Sequence, residues 1–245
     1  MCQIFSLDGD RAGNFVRIEN SVREAKDAGA LIACLPETAV LGWVNPDAHK
    51  RSCPIPGGDC DHLCRLAADC RIDLCIGLAE KDGPRLYDSA VLIDSNGQIL
   101  LKHRKINLLA ELMTPPYTPG ESVDAAETAF GKIGLLICAD THENTILERM
   151  AALKPDLLLV PYGYAAEEHE WPGHGKQLEK VVKNTASKTG AFVVGTNVVG
   201  EITHGPWRGR VYGGHSIAVD RTGRVVSVAA DRDRDINIFS INVDS

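Results

Sequence analysis

Two apolar runs that stop abruptly at proline constrain this chain more than any other feature. Ala30–Leu35 ends at Pro36, and Asp156–Val160 ends at Pro161. Proline lacks the backbone N–H that a central strand needs, so each run reads as a short buried strand with a fixed end. Each is preceded by a helical segment and an earlier strand. Asn14–Ala28 carries Phe15, Ile18, Val22 and Ala25 at helical spacing and closes at Gly29, while Thr141–Leu153 precedes the second run. Gln3–Ser6 and Ile133–Cys138 supply the earlier strands, so a strand–helix–strand unit occurs twice. Between the units, Cys60–Cys70 reads as a helix and Leu74–Leu78 as a strand. Tyr87–Asp94 and Gln98–Lys102 flank Ser95-Asn96-Gly97, a hairpin signal. Gln177–Thr189 reads as a helix. Strands at Ala191–Gly195, His215–Asp220, Arg224–Val228 and Ile236–Ile241 finish the chain. Interleaved strands and helices give an α/β fold with a mixed sheet or two sheets. The late strands are too many for a simple doubly wound fold. No stretch has linker composition, so residues 1–245 read as one domain.

Charge and cysteine usage narrow the function. With 26 Lys+Arg against 33 Asp+Glu the net charge is -7. There is no basic block, which disfavours nucleic acid and anionic membranes as partners. No run approaches the ~18 apolar residues of a membrane-spanning helix. The first ten residues lack the basic and apolar regions of a signal peptide. The eight cysteines are therefore expected to be reduced thiols in a cytoplasmic protein. Cys53, Cys60, His62, Cys64, Cys70 and Cys75 contain no C-x-x-C pair, and Cys60 and Cys64 suit one buried helix face better than zinc. No G-x-S-x-G elbow is present.

The chemistry gathers where apolar strands run into reactive side chains, as sites do in α/β folds. Leu31-Ile32-Ala33-Cys34-Leu35-Pro36 leads to Glu37. Gly134-Leu135-Leu136-Ile137 leads to Cys138, followed by Ala139 and Asp140. The hairpin around residues 91–101 leads through His103-Arg104 to Lys105. Singly, Glu37 fits a solvated loop, Lys105 a solvated charge run and Cys138 an inert core thiol. Their joint order is far more specific.

In that order the three motifs resemble the nitrilase superfamily of carbon–nitrogen hydrolases, and the resemblance extends over almost the whole chain. Leu86-Tyr87-Asp88-Ser89-Ala90 resembles the family's segment ahead of the lysine. Tyr117-Thr118-Pro119-Gly120 resembles its turn between lysine and cysteine, and Gly214-His215-Ser216 its late strand. The resemblance implies a single-domain α-β-β-α sandwich and a catalytic set of Cys138, Glu37 and Lys105. A thiolate attacks an amide carbon well, but an ordinary thiol is mostly protonated at neutral pH and needs a base. Glu37 would be that base, and Lys105 with the backbone N–H of Ala139 would face the oxyanion. The resemblance further implies a second glutamate, matched to Glu111, and a pocket loop that brings Tyr162 and Tyr164 to the substrate, with Trp43 as a further wall. It implies no metal or organic cofactor, a small amide or N-carbamoyl substrate, and a homodimer or larger homo-oligomer. Ala139-Asp140 after the cysteine suits the amidase branches better than the nitrilases, although Thr141-His142-Glu143-Asn144 departs from the stretch that usually follows. Nitrile hydrolysis by the same residues, and a non-catalytic member that binds a partner or metabolite, stay open. A papain-like Cys138–His142 pair is disfavoured, because His142 would lie on the following helix.

Overall fold

The computed structural model describes residues 1–242, and two β-sheets packed face to face organise them. The first sheet holds, in spatial order, Ile32–Cys34, Asp73–Asp82, Arg85–Ile93 and Ile99–Arg104. Its first pair is parallel and the others are antiparallel. The second sheet runs Val225–Val228, Ile217–Val219, Phe192–Asn197, Leu157–Tyr162, Gly131–Leu135 and Ala125–Thr128. Its three central strands, 192–197, 157–162 and 131–135, are parallel.

Strand periodicity explains how the layers stack. Successive side chains of a strand point to opposite faces. Leu74, Ile76 and Leu78 pack in one apolar cluster with Phe15, Ile18 and Val22 of helix Arg11–Asp27 and with Leu63, Leu66 and Ala67 of helix Gly58–Cys70. Cys34, Cys75, Ala90 and Leu92, on the opposite face, pack in a second cluster with Leu135 and Leu159 of the other sheet. Helices Asn144–Leu153 and Gly173–Thr189 join that second cluster through Ile146, Leu147, Met150, Leu178 and Val182. The result is the α-β-β-α sandwich the sequence implied. Burying each large aliphatic side chain contributes about 1.5–3 kcal/mol, which is what holds the outer helices down.

Several elements differ from the sequence reading, among them the run expected to end at Pro161, which continues through it to Tyr162 in register with Phe192–Asn197. The first strand is only Cys2–Gln3, and it pairs with Asp235–Ile236 instead of joining Ile32–Cys34. The first of the two repeated units is therefore incomplete in the sheet. Gln3 explains the alternative, because its side chain donates to the carbonyls of Ala230 and Asp233 and accepts from Ser216, tying the two ends of the chain together. The final strand stops at Ile236. The helix expected from Gln177 begins at Gly173 instead. Glycines in His174-Gly175 look like breakers in the sequence, but a Cβ on Gly175 would lie 2.8 Å from the His215 ring. Close packing, not a turn, calls for that glycine.

Candidate active site

The parallel strands deliver their reactive residues to one end of the sandwich. Ile32–Cys34 leads to Glu37, Gly131–Leu135 to Cys138, and Leu157–Tyr162 to Gly163 and Tyr164. Lys105 follows the edge strand Ile99–Arg104. Glu37, Lys105 and Cys138 are 2%, 1% and 6% exposed, so neither Glu37 nor Lys105 is the solvated residue its local sequence allowed. Lys105 Nζ donates to Glu37 Oε1 in a short contact and lies 5.0 Å from the centre of the Trp43 ring. Glu37 Oε2 is buried without a hydrogen-bond partner. That oxygen lies over Gly163, where a Cβ would come within 2.9 Å of it. The Gly163 N–H points in turn at Cys138 Sγ.

Cys138 sits on a bend that few non-glycine residues adopt. Its φ is 39°, and a 3-10 turn over Cys138–His142 begins there. A non-glycine residue in the left-handed region costs about 1–3 kcal/mol and persists only where its surroundings enforce it. The enforcement is visible. Asp140, fully buried, accepts from the N–H groups of Ile137, Ile106 and Asn107 at 3.0, 2.9 and 2.8 Å and contacts His103 Nε2 at 2.8 Å. Asn107 Nδ2 donates to the Ala139 carbonyl at 2.8 Å. Thr141 Oγ1 donates to the Cys138 carbonyl at 2.6 Å and lies 3.0 Å from the Tyr162 hydroxyl. One carboxylate thus ties the cysteine bend to the lysine segment. The sequence reading used Asp140 only to suggest a branch and missed this role. Its signal was present, as an acidic residue inside an apolar stretch must find donors.

Electrostatics separate the groups. Burial and the Glu37 charge push the Cys138 thiol well above its ordinary value, against the smaller pull of Lys105 and the Gly163 N–H. The thiol therefore rests protonated at neutral pH. Burial alone would lower Lys105, but the negative charge of the buried Glu37–Asp88 pair outweighs it and holds the ammonium well above its usual range. His142 is half-buried, and burial lowers its imidazole with help from Lys105, so it is neutral at pH 7.

A cavity of about 470 Å³ opens at Cys138 and Ala139. Trp43, Tyr164, His142, His174, Trp207 and Arg210 are among its lining residues. Tyr164 stacks on His174 with ring centres 4.2 Å apart. Trp43 and Tyr164 therefore sit where the sequence reading put them. Tyr162 does not, since it is fully buried beneath the cysteine bend and holds Thr141 instead of lining the cavity. A residue inside strand Leu157–Tyr162 alternates into the core, and only the next residues reach the cavity. Glu111 is also not brought to the lysine. It is exposed on the 3-10 turn Ala110–Leu112, whereas Leu112 and Met113 beside it are buried. The second carboxylate at Lys105 is Asp88, whose Oδ2 lies 3.4 Å from Nζ. Among the described residues no cluster of side chains could hold a metal ion, and all eight cysteines are free. No helix among the described residues is long and apolar enough to cross a membrane.

A sandwich of this kind, with the three motifs meeting at its parallel strand ends, has the architecture of the nitrilase superfamily. The family model for carbon-nitrogen hydrolases matches residues 1–245, and the chain belongs to that family. It is 30% identical over 244 residues to omega-amidase NIT2 of Mus musculus, a match covering 93% of this chain and 81% of that protein. It is 27% identical over 246 residues to an (R)-stereoselective amidase of Pseudomonas sp, covering 100% and 84%. Against the bifunctional nitrilase/nitrile hydratase NIT4A of Nicotiana tabacum it is 26% identical over 172 residues, covering 62% of this chain and about half (49%) of that protein. An amidase from Nesterenkonia sp. AN1, solved with the acetamide moiety of fluoroacetamide on its active-site cysteine, shares the fold. Its TM-score is 0.81 at 23% identity, covering 96% of this chain and 86% of that one.

Proposed function

We propose that this carbon–nitrogen hydrolase is a thiol amidohydrolase that cleaves a small non-peptide amide or N-carbamoyl compound through a Cys138 thioester and releases ammonia. The observation that carries the reading is Glu37 itself. One of its oxygens is held by Lys105, and the other is buried, unpartnered and next to Gly163, whose N–H points at Cys138. A protonated thiol needs a base at the moment of attack, and this oxygen is the available acceptor. Sulfur bonds to the amide carbon as the thiol proton passes to Glu37. The negative oxygen that forms is faced by the Lys105 ammonium and the Ala139 N–H, donors fixed in a water-poor site where they act strongly. The intermediate collapses, the C–N bond breaks, and Glu37 returns its proton to the leaving nitrogen. Water then gives a proton to Glu37 and attacks the thioester, freeing the acid and the thiol.

The amidase relatives and the Ala139-Asp140 sequence favour an amide over a nitrile. The cavity, walled by Trp43, Tyr164 and Trp207, suits a small substrate with an apolar body. Ammonia release from short amides, N-carbamoyl amino acids and nitriles, measured for wild type and Cys138→Ala, tests the reading. Turnover of an amide or N-carbamoyl compound by wild type alone supports it. Turnover of nitriles only would replace the substrate class, and equal turnover by Cys138→Ala would remove the mechanism.

A further inference from the structure

Asp88 is a buried carboxylate that neither the sequence motifs nor the mechanism above uses. Its side chain is fully buried, and its carbonyl accepts from the Lys105 N–H at 2.8 Å. Its Oδ2 lies 3.4 Å from Lys105 Nζ, while Glu37 makes the short contact with the same ammonium. Its Oδ1 is buried without a partner, as is Glu37 Oε2. Two carboxylates therefore share one lysine, unequally.

The other groups that could balance a second negative charge are engaged elsewhere. The charged and titratable groups facing Asp88 are Glu37, Lys105, Cys138 and Tyr117. Tyr117 and Cys138 are neutral acids at pH 7, because burial pushes both well above their ordinary values. Arg104 and Lys102 turn to Glu80, at 2.7 and 2.6 Å. Among the described residues, one cation is left for two buried carboxylates. Two like charges sharing one cation repel each other, which favours a single proton held between them.

Building on the amidohydrolase reading, we propose that Asp88 is a positioning residue that carries this proton, leaving the ionised member of the pair on Glu37 and holding Lys105 against it. The unequal contacts say which partner is which, since the ammonium sits tightly on Glu37 and loosely on Asp88. Burial and the Glu37 charge also push the Asp88 carboxyl well above its ordinary value. The proton assignment matters because Glu37 can serve as a base only if it rests ionised. A protonated Asp88 achieves that without adding a second anion beside the developing oxyanion.

Asp88→Asn and Asp88→Leu test the assignment. Asparagine keeps the shape and a donor without the charge, and leucine keeps neither donor nor acceptor. Infrared spectra at pH 7 should show the carbonyl stretch of a protonated carboxyl group in wild type and lose it in Asp88→Asn. With an amide that the wild type hydrolyses, Asp88→Asn should keep kcat within about threefold. Asp88→Leu should lose at least about thirtyfold in kcat with KM moved far less. A protonated-carboxyl band that persists in Asp88→Asn would overturn the proposal. So would an Asp88→Asn kcat as low as that of Asp88→Leu, because an ionised Asp88 would then be required. The infrared result stands whether or not Asp88→Leu folds. It is also separate from the hydrolase reading, which fails on other results: turnover by Cys138→Ala, or turnover of nitriles alone.

Discussion

Lys105→Met removes the one cation at the centre of the site and keeps most of its volume. Two effects follow, and their sizes differ. For turnover, the oxyanion loses a charged donor, and removing one such donor costs about 10²–10³ in kcat. Glu37 also loses the ammonium on Oε1. A carboxylate without a counter-charge in a buried site takes up a proton, which disables it as a base, so the loss should lie at or above about 10³. For stability, breaking a buried ion pair costs about 3–5 kcal/mol. In a chain of this size about 1 kcal/mol moves Tm by about 2–4 °C, so the variant should melt about 6–20 °C below wild type at neutral pH. The dependence on pH has a definite sign. A carboxylate kept protonated in the fold has a folded pKa above its unfolded value, and its contribution to stability is lost as pH rises from the one towards the other. Burial and the Glu37 charge already raise the Asp88 carboxyl in wild type, against the pull of Lys105, and the variant removes that pull. The Tm gap should therefore be smallest near about pH 4 and widen towards neutrality. Calorimetric melts from pH 4 to 8 and steady-state kinetics with the amide substrate measure both effects. A variant within tenfold of wild-type kcat, or a Tm gap that narrows as pH rises, would refute the reasoning.

The remaining predictions concern the frame around the lysine. Gly163→Ala puts a methyl 2.9 Å from Glu37 Oε2, so kcat should fall at least about tenfold while circular dichroism stays native; unchanged kcat would show that this oxygen is not the base. Asp140→Asn leaves one side of the former carboxylate as a donor facing other N–H groups. It should cost about 1–3 kcal/mol or more by chemical denaturation and lower kcat with it, and full stability would contradict its role as the tie between the two segments. Glu111→Gln should lower kcat less than Asp88→Leu does, and the reverse order would return the second carboxylate role to Glu111.

The parts of this account that were readable from the sequence are those set by local chemistry. Pro36 marks the end of its strand, whereas Pro161 lies inside strand Leu157–Tyr162, and Glu37 and Cys138 lie just past the ends of theirs. Interleaved helical and strand periods gave the α/β class, and the layer order came from the resemblance to the nitrilase superfamily. What was hidden depends on how distant segments meet. Glu111 matched by position along the chain, but residues 110–112 turn it outwards while Asp88, from a strand that pairs with the lysine's own, points at Lys105. Of the two tyrosines expected at the cavity, Tyr164 lines it, whereas the alternation of its strand turns Tyr162 into the core. The two-residue first strand was misassigned because its partner lies more than 230 residues away, a separation that no local pattern encodes.

The central claim is that Cys138 carries the acyl group as a thioester. Acid quench during turnover of an amide substrate, followed by intact-mass and peptide analysis, reads this directly. The acyl mass is expected on the peptide bearing Cys138 in wild type, with neither adduct nor ammonia release in a folded Cys138→Ala. Ammonia release by Cys138→Ala at the wild-type rate, or an adduct confined to another residue, would contradict it.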